Sequence, residues 1–378
     1  MGEIYNKDET KKLYYSLQFQ KALLSIEFYA NLGDPFFLNA LGYIYSSGKD
    51  EIKINYKKAY FYTLKAAELN YPKAYYNLSF FYAYGQYVDK DEKKCLEYLL
   101  KAANLNHIAS CGAIASYYIT GSKIFDCDYS KAFKYASVGK NEDHVCCRIL
   151  ANFYAGVYGD DIVKKDLSKA EEFYLKSLEI KKSRVTYMNF ADFIINNPVG
   201  IKSTYDDALN YYLQADDMGD VNGKIKYDFE LIRGNILHSS DDNIKEELKF
   251  LDELSEYNSL ACYYLGEIYS NEKCCKLVKV DKKKAFQYYK NGAILDNNGN
   301  CLFKIGIMIE NNDNNLPLAM LYIMKSMEIG KLKEAKDYIN LALKNENDQA
   351  KYLDKFLKLS EDERYKLYEE KTFGGLKK

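Results

Sequence analysis

The chain has 378 residues and nearly balanced charge, with 53 Lys and Arg residues against 54 Asp and Glu residues. This balance gives no long-range positive field, so nucleic acid and anionic membrane surfaces are disfavoured as partners. No stretch approaches the roughly 18 uninterrupted apolar residues of a membrane helix, and no apolar segment follows the charged amino terminus. The nine cysteines are odd in number and contain no Cys-x-x-Cys pair, which predicts a reducing compartment and a cytoplasmic location.

The first 33 residues predict N-terminal capping helices. Ala22, Ser25 and Tyr29 imitate the second helix of a repeat, but no regular first helix precedes them. Terminal units of repeat arrays are commonly atypical in this way. The repeats themselves begin near Asp34, where Pro35 suits the first turn of a helix.

The stretch 74–103 is the clearest copy of the repeated unit. Its first helix carries Ala74, Leu78 and Tyr82 along one apolar stripe. Gly85 is predicted to end that helix, and Asp91 is predicted to cap the second helix. A two-helix unit of this size cannot bury its apolar face alone, so it must stack on copies of itself.

The same pattern recurs from residue 34 to residue 330, with a period of about 36 to 40 residues, longer than the 34 residues of a tetratricopeptide. We call the start of each first-helix stripe offset 0. These starts are Phe37, Ala74, Ser110, Cys146, Thr186, Gly223, Ala261 and Cys301. The second helices mostly place an aromatic residue three positions after a small one, as in Ala59/Tyr62, Cys95/Tyr98, Ala132/Tyr135, Ala170/Phe173, Ala208/Tyr211 and Ala285/Tyr288. The sequence therefore predicts an all-α solenoid of about eight antiparallel helix–turn–helix repeats.

The pattern is weakest in two places. The sixth repeat puts Asp228 where a small residue belongs, which predicts a loosely packed unit. Residues 331–378 predict a partial repeat, capping helices and a flexible tail. Ser360 with Glu363 matches a capping box for the last helix.

The repeats resemble the Sel1-like repeat family. The residues that carry the resemblance are a Leu-Gly-Tyr stripe (Leu265, Gly266, Tyr269), then Val278 and Asp281, then a Lys-Ala pair (Lys284, Ala285). The family usually has tryptophan where this chain has tyrosine, at Tyr62, Tyr98, Tyr135, Tyr211 and Tyr288. The resemblance implies a right-handed superhelix of helix pairs that acts as an adaptor in protein complexes, without catalytic residues.

A concave surface built from successive first helices would expose offsets 2 and 6. Aromatic and arginine side chains at these offsets are candidates for partner binding. They are Tyr43, Tyr76, Phe80, Arg148, Phe229 and Tyr263. The alternative is that these side chains simply pack between helices.

Two other function classes stay open. An enzyme or effector site is conceivable in the sixth repeat, around Asp228, Glu230 and Arg233. A helical-repeat groove could also bind nucleic acid, although the balanced charge argues against it. No cofactor or metal is expected, because His107 and His144 occupy equivalent turns of different repeats and would not converge. The leading hypothesis is a non-enzymatic adaptor that binds a protein or peptide partner.

Overall fold

The computed structural model describes residues 5–121, 126–159, 161–234, 240–313, 315–329, 332–344 and 348–373. These residues form helices and no strand, and consecutive helices pack as pairs, which confirms the predicted all-α solenoid. The chain divides into two compact units, Met1–Tyr211 and Tyr212–Lys378. We refer to them as unit 1 and unit 2.

Unit 1 contains the first eleven helices and the start of the twelfth. They are α1 Lys7–Tyr15, α2 Phe19–Asn31, α3 Pro35–Ser47, α4 Tyr56–Glu68, α5 Pro72–Tyr84, α6 Glu92–Asn104, α7 Ile108–Thr120, α8 Tyr129–Val138, α9 His144–Tyr154, α10 Leu167–Ile180, α11 Arg184–Asn196 and α12 Tyr205–Asp217. Helices α1 and α2 occupy the stretch for which N-terminal capping helices are predicted. The repeats begin at α3 with Pro35 in its first turn and Asp34 as its N-cap.

Unit 2 contains the rest of α12 and the remaining helices. These are α13 Val221–Ile232, α14 Asp241–Leu254, α15 Ser259–Ser270, α16 Lys282–Asp296, α17 Gly299–Asp313, α18 Leu316–Glu328, α19 Lys333–Lys344, α20 Asp348–Leu357 and α21 Glu361–Tyr368, followed by one π-helical turn, Glu369–Phe373. The predicted capping box at Ser360 and Glu363 is present at the start of α21.

A tyrosine on the first helix of a repeat makes three contacts with the second helix or its N-cap, as Tyr82 illustrates. Its carbonyl accepts a hydrogen bond from the backbone amide of Asp91 at 3.0 Å, and its ring stacks on Tyr98 with centroids 5.6 Å apart. Asp91 caps α6 by accepting from the amide of Lys94, whose Nζ lies 5.2 Å from the centroid of the Tyr82 ring. The loop is therefore fixed by a cap, a stacked pair and a cation–π contact.

The same arrangement returns in other pairs. The stacked rings are Tyr45/Tyr62, Tyr118/Tyr135, Tyr154/Phe173 and Tyr269/Tyr288. A lysine lies over the first ring in each case: Lys58, Lys131, Lys169 and Lys284. The aromatic residue of the second helix thus packs against the ring of the first helix, both where it is tyrosine and where it is Phe173.

Small residues at the stripe positions allow the helices to approach closely. A Cβ on Gly266 would lie 2.4 Å from the ring of Tyr289. Cys146 and Cys301 are fully buried, as expected for compact apolar residues. Within the described residues all nine cysteines are free thiols, and Cys127 alone among them is exposed.

Some expectations concern residues outside the described part of the chain. They are Gly330, at the end of the predicted repeats, and residues 374–378 of the predicted flexible tail.

Candidate functional site

Three of the six candidate residues line one cavity in unit 1. Tyr43 on α3 and Tyr76 and Phe80 on α5 border a cavity of about 590 Å³, which also receives Tyr14 and Tyr15 from α1. We call it the aromatic pocket. Its volume falls in the range of small-molecule and peptide side-chain sites. The repeat register of α3 and α5 brings these rings together because equivalent offsets on neighbouring first helices face the same side.

The rings on α5 form a continuous row. Tyr76 and Phe80 meet edge to face with centroids 4.8 Å apart, and Phe80 stacks on Tyr84 at 6.0 Å with an interplanar angle of 3°. Tyr84 also lines the pocket and is 69% exposed, and Tyr15 of α1, another lining residue, is 66% exposed. Large rings with this much exposure, so close together, leave apolar surface available to a ligand.

One lysine lines the aromatic pocket, and a second contacts a tyrosine that borders it. Lys73 lines the pocket and has no ion-pair partner among the described residues. Lys49 donates to the hydroxyl of Tyr43 at 3.2 Å. The Tyr76 hydroxyl is protonated at neutral pH, as an ordinary tyrosine is, and can donate a hydrogen bond, while burial raises its pKa further.

Offsets 2 and 6 of the first helices do not identify every residue that lines the aromatic pocket. Asn77 lines the pocket from offset 3, and it donates to Asn39 on α3 at 2.8 Å. Tyr84 lies one helical turn beyond Phe80, so the helical period predicts that the two side chains share one face of α5. Tyr14 and Tyr15 belong to the capping helix, which has no repeat register from which to place them.

The other three candidates lie elsewhere. Arg148 on α9 is half-buried, and burial lowers the pKa of its guanidinium. Tyr263 on α15 packs against Tyr264 and Tyr289. Phe229 on α13 is only 7% exposed and stacks on Tyr264 with centroids 4.1 Å apart. Phe229 therefore offers little surface to a partner in this conformation.

The sixth repeat contains a buried ionic cluster. Asp228 is 0% exposed and accepts a short hydrogen bond from Lys224, one turn earlier on α13. The Lys224 ammonium also donates to Glu247 on α14 at 3.0 Å. Burial raises the pKa of Asp228 to about 7 despite the lysine, and its Oδ2 atom has no hydrogen-bond partner in the described structure.

The charged residues of this repeat do not assemble as one constellation. Arg233 pairs with Glu230 at 3.3 Å, whereas Asp228 pairs with Lys224. The two carboxylates therefore bond to separate cations, and Asp228, whose pKa is raised, is fully buried. Among the described residues no group of three or more His, Cys, Asp and Glu side chains could hold a metal ion.

A sequence model of the Sel1 repeat matches four segments of the chain: residues 35–71, 72–107, 144–179 and 259–297. The chain contains Sel1 repeats. The first two matched segments hold α3 to α6 and thus most of the aromatic pocket. Arg148 lies in the third Sel1 repeat and Tyr263 in the fourth, while Phe229 lies outside the matched segments.

One solved structure supports the fold, and two others show a weaker similarity. A protective antigen present in uropathogenic Escherichia coli strains, which displays an SLR fold, is similar with a TM-score of 0.54 and 19% identity, over 91% of this chain and 73% of that one. A Sel1 repeat protein from Oxalobacter formigenes has a TM-score of 0.48 and 22% identity, with 76% of this chain and 99% of that chain covered. Yeast Tom70 has a TM-score of 0.36 and 15% identity, with 96% and 92% covered. No curated protein sequence matches the chain.

The Sel1 repeats are not accompanied by a membrane segment in the part of the chain that the structure describes. None of the helices there has both the length and the apolar character needed to cross a bilayer.

Proposed function

We propose that this Sel1-repeat chain is a non-enzymatic, cytoplasmic adaptor that binds a peptide segment of a partner protein in the aromatic pocket. The observation that carries the proposal is the meeting of Tyr43, Tyr76 and Phe80 at one cavity bordered by exposed rings. Aromatic side chains in a pocket are the usual anchors of peptide recognition, because they lose little conformational entropy and bury much apolar area on binding.

The lining defines the chemistry of the peptide. The apolar floor fits an aromatic or branched aliphatic side chain, which would be enclosed between α3 and α5. The ammonium groups of Lys73 and Lys49 favour an acidic residue beside that anchor. The occupant is therefore an apolar anchor flanked by Asp or Glu.

Selection from a random dodecamer peptide library displayed on phage, with the full chain as the target, tests the proposal. Selected peptides are expected to share the apolar anchor and a neighbouring acidic residue. Replacing Tyr76 and Phe80 together with alanine should weaken binding at least thirtyfold, because truncated anchor residues cost about 2 kcal/mol or more. Phe28→Ala, which removes an exposed ring on α2 outside the pocket, is the matched control.

Helicity by circular dichroism separates lost binding from lost folding. Intact helicity with weakened binding supports the pocket, whereas global unfolding of the double variant would make Tyr76 and Phe80 core residues. Equal affinities for wild type and a folded double variant would contradict the proposal.

A further inference from the structure

A second cavity in unit 1 is lined by several asparagine side chains. It has a volume of about 360 Å³ and lies against α9, α10 and α11. Four asparagines line it: Asn152, Asn189, Asn196 and Asn197. Its charged lining residues are Lys165 and Asp192, one of each sign. We call it the amide pocket.

Two of the four asparagines form hydrogen bonds with neighbouring residues of unit 1. Asn152 accepts from the Tyr174 hydroxyl at 2.5 Å and donates to the Tyr158 hydroxyl at 3.0 Å. Asn197 accepts from Lys165 at 3.1 Å and donates to the carbonyl of Phe193 at 2.8 Å. Each of these two amides thus has both a donor and an acceptor partner within unit 1.

The other two retain unused hydrogen-bonding groups. Asn189 is half-buried and makes no hydrogen bond within the described structure, so its amide offers both donors and an acceptor. Asn196 donates to the carbonyl of Asp192 at 2.8 Å, which leaves its own carbonyl oxygen without a described donor. A ligand that presents a donor beside an acceptor would satisfy both side chains.

A polypeptide main chain has that chemistry. Each extended residue presents one N–H and one C=O, and a carboxamide can pair with both at once. A phosphodiester is a poorer match, because Lys165 is already bound to Asn197 and Asp192 would repel it. The amide pocket therefore favours a neutral backbone.

Residues that line the amide pocket occupy the same offsets in their repeats as residues that line the aromatic pocket. Asn189 occupies offset 3 of α11, as Asn77 does in α5, and Asn152 occupies offset 6 of α9, as Phe80 does in α5. On the intervening helix α7, the corresponding residues are Ala113 and Ser116, which are small and half-buried. A chain can pass closely over them from one pocket to the other.

The distance between the aromatic pocket and the amide pocket can be spanned by a short peptide. Packed helices lie about 10 Å apart, so the three steps from α5 to α11, which carries Asn189, cover about 30 Å, or about nine extended residues. Along this path Arg148 lies one turn before Asn152 on α9, and its guanidinium has no hydrogen bond or ion pair within the described structure. It can pair with a carboxylate of the bound segment.

We propose that the amide pocket binds the main chain of the same extended peptide whose apolar anchor fills the aromatic pocket, with an acidic side chain of that peptide at Arg148. This inference rests on the proposed function, because it assigns the path of that peptide beyond its anchor.

A peptide selected on the full chain, and a series of its variants each methylated at one backbone nitrogen, provide the test. Methylation at one or two positions about nine residues from the anchor should weaken binding to wild type about tenfold, because it removes a main-chain donor. Asn189→Ala should also cost about tenfold and should make those methylations nearly neutral. Asn210→Ala, which changes an exposed asparagine on α12, should bind as wild type does.

Arg148→Gln should cost a similar factor and abolish the effect of replacing one acidic residue of the peptide. If every backbone nitrogen tolerates methylation, or if Asn189→Ala binds as wild type does while the Tyr76 and Phe80 double variant does not, the inference is wrong and the proposed function stands. Failure to select any peptide contradicts both. A labelled single-stranded DNA dodecamer retained by wild type but not by Asn189→Ala would overturn the peptide assignment in favour of nucleic acid.

Discussion

Two neighbouring helix pairs of unit 2 differ in the interactions that hold their two helices together. In α15/α16, Gly266 lets the Tyr289 ring approach, and Tyr269 stacks on Tyr288 beneath Lys284. In α13/α14, the stripe position holds Asp228, which needs Lys224 to stay buried. The first pair depends on close contact between apolar groups, whereas the second depends on charge. The regular pair should therefore be sensitive to volume, and the irregular pair to charge and pH.

The largest effect is expected from volume in the regular pair. Gly266→Ala should lower the free energy of unfolding by about 3 kcal/mol, because the new methyl group would overlap the Tyr289 ring. Urea denaturation followed by circular dichroism measures the loss. Lys283→Ala, an exposed change on α16, should leave the unfolding midpoint unchanged. An unchanged midpoint for Gly266→Ala would show that the ring can move aside and that the contact does not define the pair.

Loss of the buried cation should have the next largest effect. Lys224→Met removes the partner of Asp228 and should cost about 2 kcal/mol. Breaking a buried pair usually costs more, but Asp228 can take up a proton and so limit the loss. Lys249→Met removes an exposed pair with Glu253 on α14 and should cost less than about 1 kcal/mol. Equal costs for the two variants would contradict a distinct role for the buried cluster.

The pH dependence of the irregular pair follows from Asp228. Its pKa is raised from 3.8 to about 7 in the folded protein, so the folded state holds a proton that the unfolded state has lost between these values. The free energy of unfolding should therefore fall as pH rises from about 4 through the folded pKa of about 7, and this contribution should level off only once the pH is well above that pKa. Asp228→Asn should remove that part of the slope in urea titrations at several pH values. A slope identical to that of wild type would place the titration elsewhere.

A smaller loss is expected at the cap of the regular pair. Asp281 accepts from the backbone amide of Lys284 at 2.9 Å and begins α16. Asp281→Ala should cost about 1 kcal/mol, as other N-cap deletions do. Asp281→Asn retains an acceptor at the same position and should recover most of the stability in the same urea assay. If Asn is no better than Ala, the side-chain cap is not the cause.

The comparison also explains what could be predicted from the sequence. Repetition of the small-and-large stripe, with Gly85 ending a helix and Asp91 beginning the next, was enough to predict the helix pairs, because each repeat confirms the others. Asp228 was visible as an exception. Its partner could also have been found, since Lys224 lies four residues earlier on the same helix face.

The composition of the candidate site was harder to predict. Offset 6 borders the aromatic pocket at Phe80 but is buried at Phe229, because Tyr264 on the following first helix stacks on that ring. The exposure of a repeat position therefore depends on the size of the next helix's side chains, which the offset alone does not encode. The contribution of α1 to the pocket depends on how the capping helix docks, and no repetition constrains that.

Photocrosslinking tests the central claim most directly. A p-benzoylphenylalanine residue at position 84, on the exposed edge of the aromatic pocket, should crosslink to a selected peptide at or beside its apolar anchor. The same residue at position 28 on α2 should give no crosslink above background. Crosslinks of equal yield at both positions, or crosslinks from position 84 to the far end of the peptide, would contradict peptide binding in the aromatic pocket.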